Sequence, residues 1–250
     1  MGGEQSTLGA IEGFQISRVI PNSPAHTANL VPFFDIITAV DGLALERENA
    51  DFFRDYVKKS INKPVVFSVF NLRIRAYREV TITPTDSWGG LGLLGCTINW
   101  ETADHCLEYT WHIVDVVGNS PAASNPDIMA QRDYLVGMQP ADETSISMFR
   151  DTSDFHNRIE NWRSLRSTNP HTPSSLLLLI YDSVDNAIKE VLVDMGKSVH
   201  LGIDIANGYL HIVPSTPGTN KIPVVKKFYV ASPAPTMTHA AAAPIQPQHP

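Results

Sequence analysis

An internal repeat constrains the fold of this chain more than any other feature of its sequence. Residues 14–25 read FQISRVIPNSPA, and residues 111–122 read WHIVDVVGNSPA. Four further segments recur in the same order in both halves: DII at 35–37 with DYL at 133–135, VVFSVFN at 65–71 with LLLLIYD at 176–182, REVT at 78–81 with KEVL at 189–192, and LGCTI at 94–98 with LGIDI at 201–205. A repeat of this length predicts two similar domains in tandem.

The first copy is predicted to be a small β-rich domain with short helices. Ser23 can cap a short helix that has Pro24 at its first position and ends near Leu30. A second helix is predicted at 49–59, where four apolar residues recur on one face. They are Phe52, Phe53, Tyr56 and Val57. Strands are predicted at 14–20, 36–40, 65–70 and 77–83, and from the end of the glycine-rich loop 88–95 through residue 100.

The second copy is predicted to repeat this order, with its longer helix near 152–165. Phe155, Ile159 and Trp162 are expected to face inward from that helix, and Asn119-Ser120-Pro121 is expected to cap a short one. After Pro214 the sequence is rich in Pro and Ala and has almost no periodicity beyond 222–230, which is typical of disorder. The predicted organisation is an N-terminal segment at 1–12, domains at 13–104 and 105–214, and a disordered tail at 215–250.

Composition and motifs argue against several classes of function. The net charge of −7 disfavours nucleic acids as partners, since these need a clustered basic surface. The 2 cysteines, Cys96 and Cys106, and the 9 histidines show no metal-ligand or redox spacing, and no hydrolase motif occurs. We therefore expect no enzyme active site, no metal and no cofactor. No apolar run approaches the roughly 20 residues of a spanning helix, and no secretory signal is visible, so the chain is predicted to be soluble and cytosolic.

The N-terminus nevertheless predicts contact with a membrane. The chain begins MGGEQS, which matches the N-myristoylation pattern M-G-x-x-x-[ST] with Gly2 as the acceptor and Ser6 as the hydroxyl residue. One myristoyl chain holds a membrane only marginally, and neither a nearby cysteine nor a basic cluster supplies a second signal. The second signal is therefore expected to be protein, either a membrane-bound partner or self-association that gathers several acyl chains.

These features together resemble the Golgi reassembly-stacking (GRASP) family over about residues 2–214. The resemblance rests on NSPA in both repeats, PFFD at 32–35, WGGLGLLG at 88–95, GYLHIVP at 208–214 and the N-terminal MG. It implies a mixed, β-rich α+β fold of two PDZ-like domains of the circularly permuted type. It also implies a non-catalytic scaffold on the cytosolic face of Golgi membranes, which self-associates, tethers membranes and binds golgin or cargo tails.

The resemblance further implies two peptide-binding grooves and an internal ligand. Groove 1 would consist of Leu93, Leu94, Gly95, Cys96 and Ile98 on the loop and strand, and of Phe53, Tyr56 and Val57 on the helix. Groove 2 would consist of Leu201, Gly202, Ile203, Phe155 and Ile159. The internal ligand, which would dock head-to-tail into groove 1 of a neighbouring copy, would consist of Tyr209, Leu210, His211, Ile212, Val213 and Pro214.

This sequence departs from the family pattern in two places. The second copy has GKSVH at 196–200 in place of the WGG string, so we expect its loop to bind carboxylates poorly or not at all. Some family members share a zinc ion with a golgin through a His and a Cys, but the matching positions here are Gln15 and Glu101. We therefore predict no such zinc site.

Two alternatives to the tether remain. The chain could be a monomeric PDZ-type adaptor for C-terminal peptides, or an enzyme, either a hydrolase or one with a cofactor. The second draws on 90–95, which match the dinucleotide motif G-x-G-x-x-G, with Asp115 about 20 residues further on. The context argues against it, because residues 84–88 separate the motif from the preceding strand and 94–100 favour a strand over a helix. The loop is predicted to be either a structural turn that requires glycine or a peptide-carboxylate site.

Overall fold

The computed structural model describes residues 11–103, 106–141, 143, 145–215 and 221–229. The predicted acylation site at Gly2 and residues 216–220 and 230–250 of the predicted tail lie outside this part of the chain. The main elements are two β-sheets, and each is built on one copy of the repeat, with one further strand from residues 221–229 added to the second sheet. Among the described helices, none combines the length and the apolar character needed to span a bilayer.

Domain 1 is built on the six-stranded sheet of the first copy. Its strands are β1 (Glu12–Val19), β2 (Asp35–Val40), β3 (Leu43–Ala44), β4 (Val65–Asn71), β5 (Ala76–Ile82) and β6 (Cys96–Thr102). Its helices are α1 (Pro24–Thr27) and α2 (Ala50–Lys59), and a short 3-10 helix, Arg47–Asn49, precedes α2. The strand order is β5-β4-β2-β1-β6, with β3 beside β2. The described strands pair antiparallel, which leaves β5 and β6 at the two edges.

Domain 2 is built on the seven-stranded sheet. Its strands are β7 (Trp111–Val116), β8 (Asp133–Met138), β9 (Ser147–Met148), β10 (Ser175–Asp182), β11 (Ala187–Asp194), β12 (Ile203–Ala206) and β13 (Val224–Lys227), and its helix is α3 (Asp154–Thr168). The order β11-β10-β8-β7-β12 reproduces β5-β4-β2-β1-β6 of domain 1. The prediction of a β-rich fold with two similar domains in tandem is confirmed.

Local signals in the sequence explain the helix positions, with two corrections. Ser23 caps α1 as predicted, because its side chain accepts a hydrogen bond from the His26 N–H at 3.2 Å. Ser120 accepts the N–H of Ala123 in the same way, but turns follow it and the predicted short helix is absent there. Pro126 has no N–H to donate to the carbonyl of Ala122, so a helix cannot continue through it.

The second correction concerns the apolar face of α2. Phe53 and Val57 are buried, but Phe52 is 38% exposed, so it does not belong to the core-facing side as predicted. Position 52 precedes position 53 by one residue, a rotation of about 100° around the helix. Its ring rests on the ring of Tyr56, 5.6 Å away between centroids.

A third hydrophobic core joins the two domains, and the sequence analysis did not predict it. Phe34 and Phe70 of domain 1 pack with Val136, Leu179 and Tyr181 of domain 2 in one buried cluster. The rings of Phe34 and Tyr181 meet edge-on, 4.8 Å apart. The run LLLLIY at 176–181 carries the signal, because a strand that lacks alternation is buried on both faces.

The landmark DII in the first copy marks a buried polar cluster. Asp35 is fully buried and accepts hydrogen bonds from Asn71 at 2.6 Å, Arg78 at 2.5 Å and the N–H of Val31 at 2.8 Å. Burial raises the pKa of Asp35, while the Arg78 charge and these hydrogen bonds oppose the rise. Asp35, Asn71 and Arg78 come from three of the repeated segments and thus meet in one buried polar cluster, in which Asp35 and Arg78 form the ion pair.

Domain 2 repeats this cluster with a lysine. Lys189 donates to Asp133 at 3.1 Å and to Asp182 at 3.3 Å, and Asp182 also pairs with Arg132. Lys189 and Asp133 are both buried, at 7% and 0% exposure. Burial raises the pKa of Asp133, and the Lys189 charge acts in the opposite direction. The repeat therefore preserves a buried ion pair as well as the strand order.

Residues 221–229, here called the C-terminal strap, cross the junction between the domains. Strand β13 pairs parallel with β11, and Lys226 pairs with Asp185 at 2.8 Å. The ring of Phe228 contacts the ring of His26 in domain 1, with centroids 5.0 Å apart. In this stretch the structure differs from the predicted disordered tail that begins at 215, because the edge of β11 supplies hydrogen-bond partners that local periodicity does not reveal.

The strap ends in a polar contact that involves both domains. Arg18 of β1 donates to the carboxylate of Glu190 on β11 at 3.0 Å, and Glu190 is 2% exposed. Arg18 also donates to the carbonyl of Tyr229 at 2.7 Å, while the Tyr229 N–H donates to Glu190 at 2.9 Å. One buried carboxylate therefore connects domain 1, domain 2 and the strap.

Candidate peptide-binding groove

In the loop that leads into β6, a series of consecutive carbonyl groups points toward the body of domain 1. The carbonyls of residues 92–95 each accept a hydrogen bond from elsewhere in the domain. The donors are the Trp88 indole for Gly92 at 2.8 Å, and the N–H groups of Thr85 for Leu93, Ala25 for Leu94 and Ile20 for Gly95, each at 2.9 Å. The loop is therefore fixed by its carbonyls.

The N–H groups of the same loop have no acceptor among the described residues of the domain. Within the described part of the chain, no group accepts a hydrogen bond from the N–H of Leu93, Leu94 or Gly95. Successive free N–H groups form a concave site for an anion, and such sites capture the terminal carboxylate of a peptide. Gly95 has φ +68°, and a Cβ there would lie 2.2 Å from the Cβ of Ser23. Only glycine fits at this position.

An apolar cavity of about 410 Å³ lies beside this loop. It is bounded by the loop and β6 on one side and by α2 on the other, with Phe14 of β1 also exposed to it. Strand β6 pairs with β1 along one edge, and no described strand pairs with its other edge. A peptide that extends β6 would therefore place its side chains in the cavity.

Seven of the eight residues predicted for groove 1 line this cavity. They are Leu93, Leu94, Gly95, Cys96, Ile98, Phe53 and Val57. Tyr56 is a correction: its hydroxyl donates to Asp41 at 2.8 Å, which raises the pKa of Tyr56 and turns the ring away from the cavity. Burial raises the pKa of Cys96 to about 12, so its thiol stays neutral and belongs to the apolar wall.

Five residues that line the cavity were not predicted. They are Phe14, Arg54, Lys58, Leu91 and Gly92. Phe14 lies in a strand that the sequence analysis recognised, and its position opposite Trp100 on β6 places it near the groove. Arg54 and Lys58 directly follow the predicted Phe53 and Val57, so the helical period could have indicated them.

The corresponding loop of domain 2 has the same framework. The carbonyls of Leu201 and Gly202 accept the N–H groups of Ala122 and Val117, both at 3.0 Å. Gly202 has φ +79°, and a Cβ there would lie 2.1 Å from the Cβ of Ser120. Gly95 and Gly202 therefore require glycine for the same reason.

The surroundings of the second loop differ. The N–H of His200 donates to the Ser198 hydroxyl at 3.1 Å, which removes one N–H from the concave site. Arg163 of α3 donates to the carbonyl of Val199 at 2.7 Å and contacts Nδ1 of His200 at 3.1 Å. These bonds tie the helix to the loop.

The remaining residues predicted for groove 2 lie close to the core. Leu201, Phe155 and Ile159 are buried in the core of domain 2, and Ile203 packs at its margin.

The predicted internal ligand forms a turn that is only partly exposed. Tyr209 and Leu210 are 90% and 85% exposed, and the His211 N–H closes the turn on the carbonyl of Gly208 at 2.8 Å. His211 and His112 share a hydrogen bond between their Nδ1 atoms, 3.0 Å apart. Val213 is 1% exposed. The projecting part is therefore Tyr209 and Leu210, while Val213 is fixed in the core, with Ile212 half-buried and Pro214 exposed.

The two positions matched to the zinc ligands of the family are engaged elsewhere. The Gln15 amide donates to the carbonyl of Phe33 at 2.7 Å, and Glu101 pairs with Arg150 at 3.3 Å. Both line a cavity of about 340 Å³ between the domains, near Cys106. In the described ranges, no three His, Cys, Asp or Glu residues are grouped as metal ligands would be.

Comparison with known proteins agrees with the duplicated fold. A family model described as the GRASP55/65 PDZ-like domain matches residues 5–99 and again 67–216. Golgi reassembly-stacking protein 1 from Homo sapiens is 34% identical over 217 residues, and its Mus musculus counterpart is 34% identical over 212 residues. These matches cover 85% and 83% of this chain.

An uncharacterized protein of Schizosaccharomyces pombe is 24% identical over 207 residues, which is 81% of this chain and 54% of that protein. The chain spans less than half the length of the two mammalian relatives, 45% and 44%. The predictions of PDZ-like domains and of the family are confirmed. Because the family model matches most of the chain, and the strand order of one domain repeats in the other, the chain belongs to the GRASP55/65 family.

Proposed function

We propose that this chain is a non-catalytic scaffold of Golgi membranes, and that groove 1 binds peptide segments of partner proteins and of other copies of itself. One observation carries the proposal: three consecutive N–H groups, at Leu93, Leu94 and Gly95, are left without an acceptor beside an open strand edge and an apolar cavity. Such a site holds a carboxylate or a turn carbonyl at the loop, and β6 holds the rest of the peptide as an added strand.

Self-association uses the turn that carries Tyr209 and Leu210. Two large apolar side chains that project by 85–90% from a fixed turn are suited to a cavity on another copy. The turn is in domain 2 and the cavity is in domain 1, so the contact is head-to-tail and can extend into open chains. Golgin-type and cargo C-terminal tails occupy the same groove.

The N-terminal acyl group places the scaffold on the cytosolic face of Golgi membranes. The sequence pattern at Gly2 supports the acylation, and the name of the mammalian relatives, Golgi reassembly-stacking protein 1, supports the membrane. Copies on two facing membranes that associate head-to-tail would tether those membranes, and many weak contacts in an array would act together. Mass spectrometry of the native N-terminus tests the anchor, and a free Gly2 amine would contradict it.

Sedimentation velocity with two variants tests the head-to-tail contact. Tyr209→Asp combined with Leu210→Asp replaces the two apolar side chains that project from the turn, and Ile98→Glu places a charge in groove 1. Each variant alone is expected to stay monomeric at concentrations where the unmodified chain associates. Mixed together, they are expected to form a one-to-one pair that cannot grow, because one intact turn meets one intact groove.

Val184→Asp is the matched control, since Val184 is 69% exposed and belongs neither to the cavity lining nor to the turn. It should associate like the unmodified chain. If the unmodified chain stays monomeric at high concentration, the monomeric adaptor replaces the tether. If the two variants associate on their own as strongly as the unmodified chain, the contact lies elsewhere.

A further inference from the structure

We propose that groove 1 selects carboxyl-terminal tails that combine an apolar last residue with an acidic side chain upstream, and that Arg54 and Lys58 determine this selectivity. The inference rests on the proposed peptide-binding function of groove 1. The preferred occupant of groove 1 is then a partner tail rather than the chain's own turn.

The charge that lines the cavity is opposite to that of the chain. The chain carries a net charge of −7, yet the charged side chains among the described lining residues are Arg54 and Lys58, both cations. Asp51 and Asp55 belong to the same helix but do not line the cavity. The lining of the groove therefore presents cationic side chains to a ligand, although the chain as a whole is acidic.

Both cations have donors to spare for a ligand. Arg54 donates one Nη1 hydrogen to Asp51 at 2.9 Å, and a guanidinium has five such hydrogens. The Lys58 ammonium lies 3.9 Å from Asp55, which is longer than a hydrogen bond. The two side chains are 67% and 61% exposed, so a ligand can reach them without displacing a buried partner.

The geometry separates the role of the cations from that of the loop. The N–H groups of Leu93, Leu94 and Gly95 are available to the terminal carboxylate, while Phe53 and Val57 provide an apolar surface for the last side chain. Arg54 and Lys58 lie one helical turn apart, about 6 Å. In an added strand, side chains on one face repeat every two residues, about 6.8 Å. The helix can therefore contact two alternate upstream positions of the tail.

The chain's own turn offers no acidic side chain to these cations, and the nearest one before it in the sequence, Asp204, lies in β12. Residues 205–215 read IANGYLHIVPS, which contains no Asp or Glu. A tail with an acidic residue gains an attraction that the turn lacks. Partner tails of this kind should therefore displace the turn from groove 1 and reduce self-association.

Fluorescence anisotropy with two labelled ten-residue peptides tests the selectivity. Both end in valine; one has Glu at the third and fifth positions from the end, and the other has Gln there. At low salt the Glu peptide is expected to bind about tenfold more tightly to the full chain, since each exposed ion pair contributes about threefold. The difference should shrink in 0.5 M salt, because exposed charges are screened.

Charge variants on α2 assign the effect to these residues. The double variant Arg54→Gln, Lys58→Gln should bind both peptides with equal affinity. Lys59→Gln is the matched control, since Lys59 is an exposed cation on the same helix that does not line the cavity. Arg54→Glu with Lys58→Glu should favour a peptide with Lys at the two positions.

The outcomes distinguish a failure of the charge selectivity from a failure of peptide binding by groove 1. If neither valine peptide binds the unmodified chain, the proposed peptide-binding function of groove 1 fails. If both bind with equal affinity, or if Lys59→Gln abolishes the preference as fully as the double variant, the charge selectivity is overturned and peptide binding stands. In sedimentation, the Glu peptide should dissociate oligomers at lower concentration than the Gln peptide.

Discussion

Domains 1 and 2 carry the same loop in different surroundings. In domain 1 the loop before β6 leaves three N–H groups free beside an open cavity. In domain 2 the Ser198 hydroxyl accepts a hydrogen bond from the N–H of His200, and Arg163 on α3 donates one to the carbonyl of Val199 in the loop. The framework is shared, since Gly95 and Gly202 each press against a serine. Both copies therefore keep the glycine that sets the backbone conformation of the loop. They differ in the side chains around the loop, because Ser198 and Arg163 bond to it in domain 2.

The largest expected difference between the domains concerns their buried ion pairs. Lys189→Ala should lower the free energy of unfolding by about 3–5 kcal/mol, because the buried Asp133 would keep a single described hydrogen-bond donor, the N–H of Met129. Arg78→Ala should cost about 2 kcal/mol, since Asp35 keeps the Asn71 amide and the Val31 N–H. Urea unfolding followed by tryptophan fluorescence measures both. Equal losses would show that the two clusters are energetically equivalent.

A smaller effect on stability should separate the two loops by function. Gly95→Ala and Gly202→Ala each force a side chain into a left-handed conformation against a serine, at a cost of about 1–3 kcal/mol. Only Gly95→Ala should also lower the affinity for a C-terminal peptide, by at least tenfold. Isothermal titration of both folded variants checks this. A matching loss in Gly202→Ala would mean that domain 2 binds the peptide too.

The strap pairs with the outer edge of β11 in domain 2, whereas no described strand pairs with the matching edge of β5 in domain 1. Truncation after residue 220 should destabilise the chain by about 1–2 kcal/mol, as it removes the β11 partner and the contacts of Phe228. Amide hydrogen exchange should accelerate in β11 and stay unchanged in β5, which has no described partner beyond β4. Truncation after residue 229 is the control, because it keeps the strap. Unchanged exchange in β11 would contradict the strand pairing.

The smallest expected effect is a difference in proton sensitivity. Burial lowers the pKa of His112, and the nearby His211 acts in the same direction, whereas the repeat places Gln15 at this position in domain 1. A lowered folded pKa means that the unfolded chain binds more protons, so the stabilisation is present above the unfolded pKa of about 6.5 and is lost as the pH falls below it.

Amide exchange of 208–212 should therefore accelerate below about pH 6 in the unmodified chain. His112→Gln should remove most of this dependence, as the variant then resembles domain 1. NMR titration of both His rings provides the direct measurement, and an imidazole of His112 that titrates above 6.5 would reverse the sign.

The repeat made much of the fold predictable, because both copies mark the same strands with the same landmarks. The resemblance to the family also indicated the loop that lines the cavity of domain 1, since Gly95 and its neighbours form one contiguous motif. Contacts between segments that are far apart in the sequence were not predictable. The shared core around Phe34 and Tyr181, the bond between Ser198 and His200, and the strap on β11 each depend on surfaces that meet only after folding. Arg54 and Lys58 were not predicted, because the apolar period of α2 marks Phe53 and Val57 and does not mark the charged residues that follow them.

The buried carboxylate of Glu190 has a consequence for any assembly of this chain. Because Arg18, Tyr229 and the shared core hold the two domains in one orientation, the groove and the projecting turn of each copy have a fixed displacement and rotation relative to each other. A filament built from identical rigid steps has a single pitch. Two surfaces bridged by such filaments would be separated by a uniform gap, set by the number of copies rather than by the tension between the surfaces.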